Sequence, residues 1–113
     1  MDGFIKRVYI AGPYTHPDPA INTRNAVLAA EEVVSIGLLP FVPHLTHLWH
    51  LISPHDIEFW YEYDLKWLQV CQVLWRLPGE SKGADAEAEY AIQLGIPIVH
   101  SLGQLQMWGT KPI

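Results

Sequence analysis

Apolar and polar positions along this chain follow two periods in turn, and the switches between them mark its elements. Ile5 to Ala11 is rich in β-branched and aromatic residues and stops at Gly12-Pro13, so it reads as a first strand, with the glycine letting the backbone turn sharply. Asp18 before Pro19 has the form of a helix N-cap with proline at the first helical position. Ala26, Ala30, Val33 and Gly37 then recur at helical spacing, which predicts a helix over about residues 19 to 36. Leu38 to Val42 is apolar but interrupted by Pro40 and closed by Pro43, the pattern of a short strand near a sheet edge. After a loop, Asp56 caps a second helix reaching about residue 70, and Gln72 to Leu77 forms a third strand stopped by Pro78-Gly79. Ser81 caps a third helix ended by Gly95, and Ile96 to His100 is a fourth strand; the last dozen residues, with Gly103, Gly109 and Pro112, have no strong period.

Strands alternating with helices, without internal repeats, imply right-handed crossovers and an α/β fold. The expected architecture is a flavodoxin-like or Rossmann-like three-layer sandwich with a mostly parallel sheet of four to five strands. At 113 residues, half of them hydrophobic and 17% charged, residues 1–113 suit one domain with enough apolar surface to cover both sheet faces. Ligands of such sheets bind beyond the carboxyl ends of the strands, here residues 12–15, 42–44 and 78–83.

A net charge of −5 and a pI near 5.6 leave no clustered cations for polymeric nucleic acid or an anionic membrane. A small anionic ligand stays open, because a few local donors hold a phosphate whatever the global charge. No apolar run approaches the roughly 18 residues of a membrane span, and the opening residues lack a signal-peptide core, so the cytoplasm is the default expectation. Cys71 is the only cysteine, which rules out an internal disulfide or a cysteine-based zinc site and leaves a small buried apolar residue as its plain reading.

Two carboxylates stand where the periodicity wants none. In the second helix Ile57, Trp60, Tyr61, Leu65 and Leu68 share one arc with Asp64 near its middle. A buried carboxylate costs several kcal/mol unless paired or used, so Asp64 is either hydrogen-bonded structurally or faces a functional cavity. In the third helix Ala84, Ala88 and Ala91 make a close-packing face, with Glu87 on its flank and Glu89 opposite. Glu87 is then an ordinary helix acid complementing the dipole, or the partner of Asp64 at the same sheet end. Such a pair suits glycosidic chemistry, one acid attacking the anomeric carbon and the other protonating the leaving group. The 78–83 turn opens this helix, so Ser81 serves as a plain N-cap or, with the backbone N–H groups, holds a phosphate or sugar oxygen.

His44, His47, His50 and His55 crowd one stretch, three of them spaced by three. This supplies an alternative in which imidazoles and Asp56 bind zinc or a related ion in a metal-dependent hydrolase or binding protein, although the intervals match no standard metalloenzyme signature.

Taken in order, Val8-Tyr9-Ile10-Ala11-Gly12-Pro13, the Pro43-His44 loop, Tyr63-Asp64-Leu65-Lys66-Trp67-Leu68 and the run from Pro78 to Glu87 resemble the nucleoside 2-deoxyribosyltransferase superfamily, which also contains nucleoside 5'-monophosphate N-glycosidases. The resemblance covers about residues 5 to 100. It implies a flavodoxin-like fold with Glu87 as nucleophile on C1', Asp64 protonating or hydrogen-bonding the departing base, and Tyr9 positioning nucleophile or sugar. It also implies substrate contacts from Gly12, Pro13, Tyr14, His44, Ser81, Lys82, Gly83 and Asp85, with no metal or other cofactor. The partner would be a small nucleoside or nucleotide, and the assembly a homo-oligomer, dimer or larger. A covalent glycosyl-enzyme would be captured by a second base in a transferase and by water in a hydrolase. A non-catalytic nucleotide- or nucleoside-binding module is the alternative within the same fold.

Two features of the resemblance pull apart. Ser81, six residues before Glu87, resembles the nucleotide hydrolases, whereas Gly12-Pro13-Tyr14-Thr15 lacks the arginine associated with them. Better-known members also continue beyond the fourth strand and donate C-terminal residues to a neighbouring subunit, a role that Gln104 to Trp108 would have to fill here.

Overall fold

Alternation with period two along the first strand sends Val8 and Ile10 to one side of a sheet and Tyr9 and Ala11 to the other, and all four are completely buried. A strand apolar on both faces belongs in the middle of a parallel sheet covered by helices. The computed structural model, which describes residues 5–110, places it there. Residues 1–4, part of the opening segment read above, and Pro112 lie outside the described residues.

Four strands, β1 (Arg7–Ala11), β2 (Leu39–Phe41), β3 (Val73–Arg76) and β4 (Ile98–Val99), form one all-parallel sheet in the order β2-β1-β3-β4. Tyr9 stands opposite Phe41 on one side and Leu74 on the other. The helices are α1 (Pro19–Ser35), α2 (Thr46–Ile52), α3 (Ile57–Gln69), α4 (Lys82–Gln93) and α5 (Leu102–Gly109), with a 3-10 turn at Pro43–Leu45. This is the flavodoxin-like three-layer α/β arrangement. Pro40 is tolerated because β2 is an edge strand.

Each sheet face has its own core. Val8, Ile10, Val73 and Trp75 pack against Ala26, Ala29 and Val33 of α1 and Leu105 of α5. Tyr9, Ala11 and Leu74 pack against Leu68 of α3 and Ala84 and Ala91 of α4. Each fully buried Val, Leu or Ile contributes about 1.5–3 kcal/mol. Helix starts are fixed locally: Asp18 accepts from the N–H groups of Ala20 and Ile21, Asp56 from Phe59, and Ser81 from Ala84.

Two helices go beyond the sequence pattern. α2 occupies the stretch read as a loop; it has seven residues, none of them buried, and no side-chain N-cap, so neither a core stripe nor a cap marked it. α5 occupies the tail without a strong period. Ser101 caps it by accepting from Gln104 N–H, and Leu102, Leu105 and Trp108, three apart, turn toward the sheet despite Gly103 and Gly109. The arc expected on α3 also divides. Leu65 and Leu68 join the core, whereas Ile57 and Tyr61 are exposed and Trp60 is half-buried.

Gly12 is required for a different reason than a sharp turn. Its φ is not positive, but an added Cβ would lie 3.1 Å from Leu77 Cβ, so the chain leaving β1 and the chain leaving β3 approach this closely over a residue without a side chain. Gly79 is constrained doubly: its φ is 113°, and a Cβ there would lie 2.8 Å from Pro13 Cγ. Gly79→Ala is therefore expected to destabilise the fold by about 2 kcal/mol, read from urea unfolding; a variant as stable as the wild type would show that the two loops are not locked together.

Candidate active site

The chain leaves β1, crosses to the edge at β2 and returns on the other side at β3, and this reversal opens a crevice above the carboxyl ends of β1 and β3. The crevice is a cleft of about 860 Å³. Gly12 to His16 line it from the loop after β1, and Ser81 to Ala84 and Glu87 from α4. The α3 wall carries Ile57, Trp60, Tyr61 and Asp64; facing it are Pro43, His44, Thr46, His47 and His50.

Tyr9, fully buried, donates its hydroxyl hydrogen to Glu87 Oε2, so the central strand reaches through the α3–α4 side of the sheet to grip the helix acid. The two residues are 78 apart in sequence. Asp64 lines the same cleft, and its Oδ1 is buried without a hydrogen-bond partner. Glu89 is exposed.

Other expected contacts divide into those at the cleft and one outside it. Gly12, Pro13, Tyr14, His44, Ser81, Lys82 and Gly83 all line the cleft. His44 is also a fastener: only its ring N–H can bond a carbonyl, so Nε2 donates to Pro13 O at 2.9 Å, and burial pushes its pKa down and keeps the ring neutral. Asp85 departs from the expectation that it touches substrate. Its carboxylate is 71% exposed and paired with Arg76 at 2.9 Å, away from the cleft. It lies two residues before Glu87, and two helical residues turn a side chain through about 200°.

Arg76 went unnoticed in the sequence. Its guanidinium donates to Leu77 O, to Gly79 O at 2.9 Å and to Asp85, clamping the turn that carries Ser81. A lone cation ending an apolar strand just before Pro78-Gly79 was the available signal. Within Gln104 to Trp108, Leu105 is fully buried, Gln104 Oε1 accepts from His100 N–H, Lys6 lies over Trp108 and Met107 is exposed.

The histidine stretch is organised around aromatic packing. His50 Nδ1 accepts from Trp60 Nε1 at 2.7 Å and from His55 N–H at 3.2 Å, His55 stacks on Phe59, and Asp56 caps α3. The lone pair a metal would need on His50 Nδ1 is thus occupied, and among the described residues no three His, Cys, Asp or Glu converge on one point. The alternative of an ion held by the loop imidazoles with Asp56 therefore finds no preformed set of ligands among the described residues.

Burial dominates the electrostatics. It raises the pKa of Glu87 to about 7, opposed by the Tyr9 hydrogen bond and the Arg76 charge. It raises Asp64 to about 7 as well, reinforced by repulsion from Glu87. The Tyr9 phenol is pushed well above its ordinary value by burial and then by both carboxylates, so it stays a donor. The Tyr9 hydrogen bond favours the ionised form of Glu87, whereas Asp64 Oδ1 receives no such donor. Because both folded-state values lie above the unfolded ones, the native state holds protons that the unfolded chain has released. Stability is therefore lost as pH rises from about 4 to about 7. Asp64→Asn is expected to gain about 1–2 kcal/mol over wild type at about pH 8 and little at about pH 5, measured by urea unfolding. A variant weaker than wild type at the higher pH would contradict the assignment of a buried, unpartnered acid.

A family model described as a domain of unknown function, DUF7768, matches residues 6–101. No curated protein matches the sequence. Among solved structures, the chain is similar to the 2-deoxyribosyltransferase of Bacillus psychrosaccharolyticus, with a TM-score of 0.67 at 13% identity over 88% of this chain and 90% of that one. It is also similar to a 2-desoxiribosyltransferase from Leishmania mexicana, with a TM-score of 0.62 at 22% identity over 84% of this chain and 63% of that one. At these identities the likeness is one of fold. With a family match across most of its length, the chain belongs to the DUF7768 family, and its fold is that of the nucleoside 2-deoxyribosyltransferases.

Proposed function

We propose that this protein cleaves or exchanges the N-glycosidic bond of a nucleoside, with Glu87 as nucleophile. The observation that carries the reading is a pair of carboxyl groups lining one cleft: Glu87, bonded by the buried, neutral Tyr9, and Asp64, which burial and the nearby Glu87 push toward its protonated form. A Glu87 carboxylate oxygen bonds to C1' as the C1'–N bond breaks, and its electron pair leaves with the base. Asp64 transfers its proton to the departing base nitrogen. A second base, or water, then attacks C1', the ester to Glu87 breaks, and the incoming group returns a proton to Asp64. Every proton and electron pair is accounted for by these side chains and the substrate.

The charges of the cleft support a nucleoside over its 5'-monophosphate. Lys82 is the sole lysine or arginine among the described residues lining the cleft, against three carboxylates, Asp64, Glu80 and Glu87. Arg76, which could have met a phosphate, is engaged by Asp85 and two carbonyl oxygens. The Ser81 hydroxyl already accepts from Ala84 N–H and has one hydrogen left to donate, enough for a sugar oxygen.

Incubation with a panel of deoxynucleosides, ribonucleosides and their 5'-monophosphates, with and without an acceptor base, tests the reading by chromatography of the released base. Release or exchange is expected with nucleosides, at a kcat/KM at least about tenfold above that of the monophosphates, and is expected to survive a chelator. Absence of release from every substrate overturns the reaction; preference for monophosphates overturns the substrate.

Glu87→Gln keeps the shape and loses the nucleophile, so turnover is expected to fall by about three orders of magnitude or more while the thermal midpoint changes little. Wild-type rate in that variant rejects Glu87. The pH profile should be a narrow bell near neutrality, falling on the acid side as Glu87 gains a proton and on the alkaline side as Asp64 loses one. Removing the donor in Tyr9→Phe withdraws an interaction that lowers the Glu87 pKa, so its acid limb is expected to move to higher pH. An unmoved limb would mean that Tyr9 does not tune the nucleophile.

A further inference from the structure

The cleft is longer than the chemistry requires. Asp64 and Glu87 occupy one end, whereas Ile57 lines the other, seven residues earlier on α3 and about 10 Å away along the helix axis. The side chains around that outer end are Thr46, His47, His50, Ile57, Trp60 and Tyr61, and none carries a permanent charge. The ionisable Asp64 and Glu87 belong to the inner end, and Glu80 and Lys82 lie at the start of α4, the helix that carries Glu87.

The outer end is built as well as apolar. Trp60 donates its indole N–H to His50 and is wedged edge-on between Trp49 at 5.1 Å and His55 at 5.5 Å, so its plane is fixed before anything binds. Across the cleft, the Tyr14 and His47 rings lie 5.5 Å apart. Ile57 is 77% exposed and Tyr61 49%, contact surface that the fold itself does not use. Preset aromatic planes around an uncharged space recognise flat rings at low entropic cost.

We infer that the outer end of the cleft is a second, aromatic subsite, which takes an uncharged planar ring carried on the far edge of the substrate's base. The inference rests on the glycosidic reading for one point, the position of the base beside Asp64. From there, Tyr61 and Trp60 lead along α3 toward Ile57, so a base extended by an aromatic substituent in that direction fills both ends where a bare base fills one.

The test is equilibrium binding to the whole chain, by calorimetry, of adenine and of adenine bearing a benzyl group on its exocyclic amine. The substituted base is expected to bind about tenfold more tightly or better, the size of one added stacking contact. In Ile57→Asp the ratio between the two should collapse toward one. That substitution adds an acid at an exposed first helical position, where the helix dipole favours it, and circular dichroism will verify the fold. Equal affinities in the wild type, no measurable binding of either base, or an undiminished ratio in Ile57→Asp would each overturn the subsite. Binding needs no turnover, so a retained ratio in a protein that releases no base would remove the glycosidic chemistry and leave the subsite standing.

Discussion

Two carboxyl groups share one poorly solvated space in this protein, and much of the architecture is there to make that tolerable. Burying one carboxylate is expensive; burying two side by side forces them to hold a proton between them. The Tyr9 hydroxyl breaks the symmetry by bonding Glu87 and leaving Asp64 without a donor. Two chemically similar acids are thereby given different hydrogen-bond surroundings, the kind of difference that can separate an attacking base from a proton-giving acid in glycosidic catalysis.

That asymmetry depends on long-range order in the chain. Tyr9 is aimed by the central strand, which is pinned on both sides by β2 and β3, and Glu87 is aimed by a helix whose alanines let it lie close to the sheet. The turn before that helix is held from below by Arg76 and from the side by Pro13, which itself is fastened to His44. A small error in any of these would move the hydroxyl away from the carboxylate. The reach between strand and helix explains why Tyr9 and Glu87 meet inside the sheet–helix packing rather than in the loops alone.

Signals that act over a few residues were legible in the sequence. The caps at Asp18, Asp56 and Ser81 and the edge position implied by Pro40 stand as read, because each depends on local backbone chemistry, and Asp64 on α3 does line a cavity. Features set by tertiary contact were not. α2 buries nothing against the core and so has no stripe to read, and α5 hides its three-residue apolar spacing among glycines. Arg76 looked like the tail of a strand, and Asp85 could be separated from the cleft only once its partner was known. The histidines suggested coordination because their spacing is visible while the indole that occupies His50 is ten residues away.

The wall carrying α2 touches neither β1 nor the alanine face of α4 among its aromatic contacts; it leans on α3 through Trp49 and His50. Having no buried side chain, it holds little of the molecule together. Beyond the Trp49 and His50 contacts to α3, side chains there hold less of the fold than those of β1 and α4, which pack in the core. One wall of the cleft thus stands on a helix with no buried side chain, while Glu87 sits on a helix packed into the core, so the shape of the opening and the setting of that acid rest on different parts of the fold.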